Sequence, residues 1–453
     1  MKRYGVILAA GMGTRMKSTT PKVLHKVMGK TMIEHATGAL ECANVEKIVV
    51  VTGHQSQLVE ECLGARTKYA KQKQQLGTAH AVRMAEALLT NLAGTTAVTY
   101  GDGPLLSGEF LEQLFTHHEN SGAKLTILTA IATDPTGYGR IIRNQDGQVR
   151  QIIEQKDASA EELLIKEINT GVACYDNQIL FEALAKVDNN NTKNEYYLTD
   201  LAEIIAGMGH KVDTIVADDF EATLGVNDRL QLAEANRVMR NRINKKHLEN
   251  GVTLIDPENT YIESDVVIES DVVIEPNVYL KGQTTIKAKA IIGMGTTLTN
   301  VRIGVGVQIQ SSFIFDSKIE DYATIGPFAH IRDQVIVGQK SRIGNFVEIK
   351  NSQLGEAVKA AHLAYIGDAK VGARANISCG VITANFDGKN KHQTAIGADT
   401  MIGSNVTLIA PIEIGDGAYV AAGSTVNKNV PADALAIARV KQDNKDGYAP
   451  KLS

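Results

Sequence analysis

Tyr261-Ile-Glu-Ser-Asp-Val-Val-Ile-Glu-Ser-Asp-Val-Val-Ile-Glu-Pro-Asn-Val-Tyr-Leu280 places an aliphatic residue at every sixth position: Ile262, Ile268, Ile274 and Leu280. The spacing continues through Ile286, Ile292 and Leu298, slips, and resumes at Ile303, Ile319, Ile325, Ile331, Val337, Ile343 and Ile349. It returns at Ile366, Val371 and Ile377, then at Ile396, Ile402, Leu408, Ile414, Val420 and Val426. No helix has a period of six. A strand alternating every two residues does not explain why one position in six is always large and aliphatic. A coil of short strands does: each hexamer forms one flat side and points its aliphatic residue at the axis. Hexapeptide repeats of this kind are a parallel β-helix signature. Gly often follows the aliphatic residue, as in Ile303-Gly304, Ile325-Gly326, Ile343-Gly344 and Ile402-Gly403. The expectation is a backbone conformation open to residues without Cβ. Asn385–Thr394 interrupts the period with Phe386-Asp-Gly-Lys-Asn-Lys-His392, a polar excursion expected to reach a ligand or a neighbouring subunit. Stacked repeats need covered ends, and the tail after Asn429, with Pro431 and Pro450, is the candidate cover.

Upstream the pattern changes. Arg229–Ile243 reads as one charged helix, with Gly251 placed to stop it. Before it, apolar runs without alternation (Tyr4–Ala9, Lys47–Thr52, Thr95–Tyr100, Leu125–Ala130) alternate with helical stretches such as Ile33–Ala43 and Gly77–Leu89. That order implies a doubly wound α/β domain, its parallel sheet covered on both faces and its ligands beyond the carboxyl ends of the strands. The domain boundaries expected are 1–229, a linker helix 230–250, and 251–453.

Composition narrows the function. A net charge of −4 gives no electrostatic footprint for nucleic acid. Cys42, Cys62, Cys174 and Cys379 are scattered and form no CxxC pair, which points to free thiols in a reducing cytoplasm. The apolar run after Met1-Lys-Arg is one strand long, too short for a signal peptide, and no stretch suits a membrane span.

The chemistry of the first half lies directly after its first strand. In Leu8-Ala-Ala-Gly-Met-Gly-Thr-Arg-Met-Lys17 the glycines let backbone approach a phosphate or base closely. Arg15 can pair with phosphate oxygens in a fork, and Lys22 in Pro21-Lys-Val-Leu24 adds a point charge. These motifs resemble the sugar-nucleotidyltransferase family. With the second half, the chain resembles the bacterial family of bifunctional N-acetylglucosamine-1-phosphate uridyltransferase/glucosamine-1-phosphate N-acetyltransferases. Further matching stretches are Gln75–His80, Tyr100–Asp102, Thr136–Ile141, Glu154–Asp157, Ile168–Gly171, Glu195–Asp200 and Gly225–Asn227. The resemblance covers both domains in order and implies a left-handed coil and a homotrimer. It also implies a cytoplasmic enzyme that makes UDP-N-acetylglucosamine for cell-envelope synthesis. Its reactants would be UTP, N-acetylglucosamine-1-phosphate, glucosamine-1-phosphate and acetyl-CoA, with Mg²⁺ as the metal.

The resemblance also assigns residues. Leu8, Ala9, Ala10, Gly11, Gln72, Gly77 and Thr78 would hold the uridine end, with Tyr100 and Gly101 beside them. Gly139, Glu154 and Asn169 would hold the sugar, and Asp102 and Asn227 would bind Mg²⁺. The attacking phosphate is already ionised and needs no general base, so positioning and charge neutralisation by Arg15 and Lys22 would carry catalysis. In the second half His362 would be the general base that deprotonates the amine. Arg332, Lys350, Tyr365 and Asn376 would bind glucosamine-1-phosphate, and Cys379, Asn385, Phe386, Ser404, Ala422 and Arg439 acetyl-CoA.

The chain departs from the family pattern at Asp333 for Pro, Ala361 for Gly, Ala364 for Thr, Ser378-Cys379 for Gly-Ala, and Phe386 for Tyr. Asn194 stands where a small residue is expected. Two other readings are weighed. The coil is only a trimerisation or regulatory platform, which His362, Lys350, Arg332 and Arg439 argue against; or His330, His362 and His392 bind zinc, which their spacing and the surrounding match argue against. Cys379 as an acyl-carrying nucleophile is set aside for a small thiol, because direct transfer needs no acyl-enzyme.

Overall fold

A computed structural model describes residues 1–448; Pro450, part of the candidate cover, lies outside them. The chain divides into two compact units, Met1–Met239 and Arg240 onward.

At the centre of the first unit is Arg3–Ala9, parallel to Lys47–Thr52 on one side and to Thr95–Tyr100 on the other. From Tyr4 on the strand is apolar because both faces are covered. Val6, Leu8, Val49 and Val51 pack into one core, and Ile7, Ile48 and Val50 into a second. The sheet is mixed rather than wholly parallel. Glu167–Asp176 runs antiparallel between Thr95–Tyr100 and Leu125–Ile131, and Gly139–Arg143 with Val149–Ile153 extends it as an antiparallel pair. The helix expected over Ile33–Ala43 spans Met32–Cys42, begun by a reciprocal Thr31–Glu34 capping box. The stretch Gly77–Leu89 is two short helices, Thr78–Arg83 and Glu86–Leu89. Between them the Met84 and Ala85 amides bond back three residues, to Ala81 and Val82, a tighter turn that splits the helix.

The helix Arg229–Glu249 contributes its first residues to the first unit and its later ones to the second. Ala235 and Val238 bury against Val27, Met32, Leu105 and Val226 in the first unit. Further along, Ile243 packs on the first coil, and Asn244 Nδ2 donates to the carbonyls of Pro257 (2.7 Å) and Thr260 (3.0 Å). This turn of helix covers the coil's amino end. Gly251 follows in the left-handed conformation (φ 85°) that ends such helices.

The second unit is a left-handed parallel β-helix. Ile274 lies against Ile292 one turn later, and Ile343 against Ala360. Three hexamers therefore make a turn, and each forms a flat side. The repeated aliphatic residues fill the axis; Ile262, Ile274, Leu280 and Ile292 are fully buried. A second inward position, two residues earlier, is equally dry. It holds Thr260, Val266, Val272, Val278, Ala290 and Thr296. Because Thr, Ala and Val mix there, hydrophobicity alone does not reveal it.

The glycines after the aliphatic residues need a corrected explanation. Most are not in a left-handed conformation; they lie under the next coil. A Cβ on Gly344 would sit 1.7 Å from the Ala361 carbonyl oxygen, and one on Gly304 2.7 Å from the Asp321 nitrogen. Close approach of coils excludes a side chain at these positions. Gly326, with φ 97°, is the exception that fits the conformational reading.

Most coil strands are two or three residues long, but Arg342–Lys350 and Lys359–Gly367 run for nine and lie side by side. Between Ile377 and its partner Ile402 the polar excursion is inserted. At the carboxyl end Leu435–Ala436 pairs with Tyr419–Val420, and Val430 is buried, so part of the tail after Asn429 does continue the stack.

Candidate active sites

In the first unit the loop after Arg3–Ala9 and the turn after Thr95–Tyr100 emerge side by side, tied by the Gly101 amide to the Leu8 carbonyl (2.9 Å). Gly53 packs flat on Ala10, and Gln75 Nε2 donates to the Ala10 carbonyl (2.6 Å). Gly13 lets Lys22 come close: a Cβ there would lie 2.6 Å from the Lys22 Cβ. The Lys22 ammonium then donates both to the Asp102 carboxylate and to Asn227 Oδ1 (3.1 Å). Asn227 is brought in by the Val226 amide, which donates to the Asp102 carbonyl (2.8 Å). Gly225 leaves room between the two side chains, its Cβ position 3.9 Å from Asp102 Oδ1. Three residues distant in sequence thus meet at the carboxyl ends of the central strands. Arg15 is exposed on the Thr14–Met16 turn, with no hydrogen-bond partner among the described residues.

Next to this cluster, Thr78, Tyr100, Glu154 and Asn169 line one cavity of about 240 Å³. Gly139 flanks it, in register with Asn169. Gly77 has to be glycine: its φ is 112°, and a Cβ would strike the Tyr196 carbonyl at 2.5 Å. Gln72 Nε2 reaches the Gly77 carbonyl (3.1 Å), and Thr78 Oγ1 accepts from the Leu198 amide (3.0 Å). Burial holds the Glu154 carboxyl above its usual range, and Thr199 donates to it at 3.3 Å. Burial and then the neighbouring carboxylates push Asp200 up to about 6. Lys193, Tyr197 and Thr199 line the same cavity; Tyr197 and Thr199 fall in the matching stretch Glu195–Asp200 without an assigned role, and Lys193 lies just before it. Asn194, the departure beside them, adopts φ 54°, a conformation asparagine tolerates well.

In the second unit, stacking assembles the residues. Arg332 lies in register with Lys350 on the next coil, and Glu348 with Tyr365. Arg332 is held by Glu348 (2.7 Å) and by Asp333 (3.0 Å). The Lys391 ammonium, brought in by the excursion, is lowered in pKa by Lys350 beside it. Glu348 and Lys391 were not expected from sequence. His362 lies directly over Asn345, its Nδ1 2.9 Å from Asn345 Oδ1. An amide oxygen only accepts, so this contact requires the proton on Nδ1. Asn376 occupies the neighbouring rung, its Nδ2 2.9 Å from Met401 Sδ.

A second column rises beside this one. The Gly380 amide donates to the Leu363 carbonyl (2.6 Å), the Asn405 amide to Cys379 (2.8 Å), and the Gly423 amide to Ser404 (2.8 Å). Arg439 lies against Gly423, next to Ala422. Buried Asn385 donates to the Asp368 carboxylate, and exposed Phe386 starts the excursion. That loop closes on itself. Asp387, pushed down to about 2 by the Asn390 amide and by His392, accepts from His392 at 2.7 Å. His330 meets Phe315 edge-on and His362 meets Asn345, so the three histidines have three separate partners. All four cysteines are free.

Comparison with known proteins agrees with this architecture. A nucleotidyl transferase family model matches residues 4–222, and a bacterial transferase hexapeptide model of six repeats matches 316–351 and 394–428. The chain is therefore a two-site transferase, a nucleotidyltransferase fused to a hexapeptide-repeat acyltransferase. It is 50% identical to the "Bifunctional protein GlmU" of an Exiguobacterium species over all of both chains. It is 52% identical to that of Geobacillus thermodenitrificans (all of this chain, 98% of the relative) and 49% to that of Listeria monocytogenes (100% and 99%). The chain belongs to the bifunctional GlmU family. It is an enzyme of UDP-N-acetylglucosamine synthesis, with acetyl transfer to glucosamine-1-phosphate and uridylyl transfer to N-acetylglucosamine-1-phosphate as its two reactions.

Proposed function

We propose that uridylyl transfer takes place at the Lys22–Asp102–Asn227 cluster and acetyl transfer at the Asn345–His362 pair. The observation behind the first assignment is that one cationic ammonium is shared by a carboxylate and an amide oxygen at the end of the central strands. A donor set of hard oxygens that already draws a cation suits Mg²⁺, with phosphates and water completing the coordination. Asp102 and Asn227 would hold the ion, which would neutralise phosphate charge. Leu8–Gly11, Gln72, Gly77 and Thr78 would receive the nucleotide, with Tyr100 and Gly101 beside them, and Gly139, Glu154 and Asn169 the sugar. A phosphate oxygen of N-acetylglucosamine-1-phosphate attacks the α-phosphorus of UTP, the α–β anhydride breaks, and pyrophosphate leaves. Lys22 and Arg15 steady the charge that builds on the transferring group.

In the β-helix, Arg332 and Lys350 would take the phosphate of glucosamine-1-phosphate as charge-assisted partners, with Tyr365 and Asn376 on the sugar. His362 Nε2 accepts the proton as the amine attacks the thioester carbonyl. The C–S bond then breaks and the coenzyme leaves as its thiolate. Cys379, Asn385, Phe386, Ser404, Ala422 and Arg439 would line the coenzyme path, a backbone amide near Cys379 facing the oxyanion. The exposed ridge Phe328, Phe346 and Leu363, each about 57% accessible, supports a homotrimer in which a neighbour covers it. Four free thiols support a cytoplasmic location, and no helix of the described residues is long and apolar enough to cross a membrane.

The test is a pair of assays on the purified chain, thiol release from acetyl-CoA and pyrophosphate release from UTP. His362→Ala should lower only the first, and Lys22→Ala or Asp102→Ala only the second, each by about 10²-fold or more. Loss of both reactions in a folded single variant would end the two-site assignment. Wild-type pyrophosphate release without thiol release would return the coil to the platform reading.

A further inference from the structure

The two cations assigned to the sugar phosphate already have an anion between them. Asp333 reaches Arg332 Nη1 at 3.0 Å and Lys350 Nζ at 3.8 Å, while its own side chain stays half exposed. Arg332 keeps a second partner, Glu348, on its other nitrogen at 2.7 Å. Lys350, 18% exposed, has no other ion pair among the described residues. Asp333 and Gln334 both stand at φ 62°, a turn that folds the carboxylate back over the pair. A proline, locked near φ −65°, cannot adopt that conformation, so the turn itself excludes the family's residue here.

We propose that Asp333 is an internal counter-anion of the acetyltransferase phosphate subsite, and that a sugar 1-phosphate binds by displacing it from Arg332 and Lys350. The inference rests on the reading of those two residues as phosphate binders. Displacement exchanges one anion for another of higher charge. The free protein keeps its cations paired and oriented, and affinity for the phosphate is lowered by the pairing it has to break. Monoanionic ligands, which gain little over the carboxylate already present, are disfavoured more than dianions. The competition is electrostatic and partly exposed, so it weakens as salt rises.

Asp333→Asn is the clean variant, since asparagine keeps the shape and tolerates positive φ while losing the charge. In the intact enzyme at low ionic strength, its KM for glucosamine-1-phosphate should fall by about two- to fivefold, the range of exposed ion pairs. Its kcat should hold, and inorganic phosphate should become a tighter competitive inhibitor by a similar factor. Both differences should shrink at high salt. Lys350→Ala is measured alongside. If Lys350→Ala raises KM while Asp333→Asn leaves it unchanged or raises it, the displacement idea falls and the phosphate subsite stands. If Lys350→Ala does not move KM, the subsite reading falls, and this inference with it.

Discussion

The two units build polar sites in opposite ways. In the α/β unit, Lys22, Asp102 and Asn227 come from three separated loops, and only the sheet topology brings them together. In the β-helix, Arg332 and Lys350, or Asn345 and His362, are one turn of coil apart and meet because every residue meets its successor. Glycine shows the same contrast. Gly11 has nothing within 4 Å of its Cβ position, so a side chain there would meet open space on the side where the nucleotide is proposed to bind. Gly344 is closed off by the Ala361 backbone at 1.7 Å. Gly344→Ala should therefore cost about 3 kcal/mol or more by forcing coils apart, at the high end of overpacking effects. It should also impair acetyl transfer, since Asn345 is the next residue. Gly11→Ala should leave thermal stability within about 0.5 kcal/mol of wild type and lower only uridylyl transfer. Calorimetry and the two assays check both; equal destabilisation by the two variants would dissolve the contrast.

This difference also governs what a sequence can disclose. The coil is one-dimensional, so its period gave the fold, the inward aliphatic residues and the place of the excursion directly. The α/β strands were legible as apolar runs. The antiparallel insertion of Glu167–Asp176 was not, because a strand buried on both faces looks the same in either direction. The motif residues Lys22, Asp102 and Asn227 were picked out by resemblance, but their meeting at one ammonium is a product of topology. Asn345, Glu348 and Lys391 stayed hidden for another reason. Each is an ordinary polar residue whose role exists only through the side chain on the next coil or loop.

The interiors differ in what they hide, and acid should separate them. His118 is buried between its helix and strand Leu125–Ile131, its Nδ1 2.9 Å from Thr126 Oγ1. Burial pushes its pKa down to about 4, against the pull of Asp176. Above pH 6.5 the ring is neutral folded or unfolded, and the full stability is present. As pH falls toward 4 the unfolded chain takes up a proton that the folded unit refuses, and up to about 3 kcal/mol is lost. The buried polar residues of the coil are Thr, Ser and Asn, with no ionisable side chain among those described; His247, on the covering helix, is also lowered by burial. The protection of Leu125–Ile131 against hydrogen exchange, corrected for the intrinsic rate at each pH, should fall between pH 6.5 and 4 well before that of Arg342–Lys350. His118→Asn should flatten that dependence; an unchanged slope in the variant would mean that other groups drive it.

A smaller effect than these tests whether stacking alone tunes chemistry. Asn345 does not touch substrate in the proposed mechanism; it fixes the proton on His362 Nδ1 and leaves Nε2 basic. Removing it in Asn345→Ala frees the ring to rotate and to populate the other tautomer. The kcat for acetyl transfer should fall about tenfold, near 1.4 kcal/mol in the barrier. A carboxylate at the same place favours the imidazolium, so Asn345→Asp should restore orientation and move the acidic limb of kcat/KM to higher pH. Uridylyl transfer should not change in either variant, because Asn345 belongs wholly to the coil. A merely structural role would slow both variants alike and leave the pH profile where it is. A shifted limb in the aspartate variant together with a lowered plateau in the alanine variant makes the rung below His362 part of the base's control.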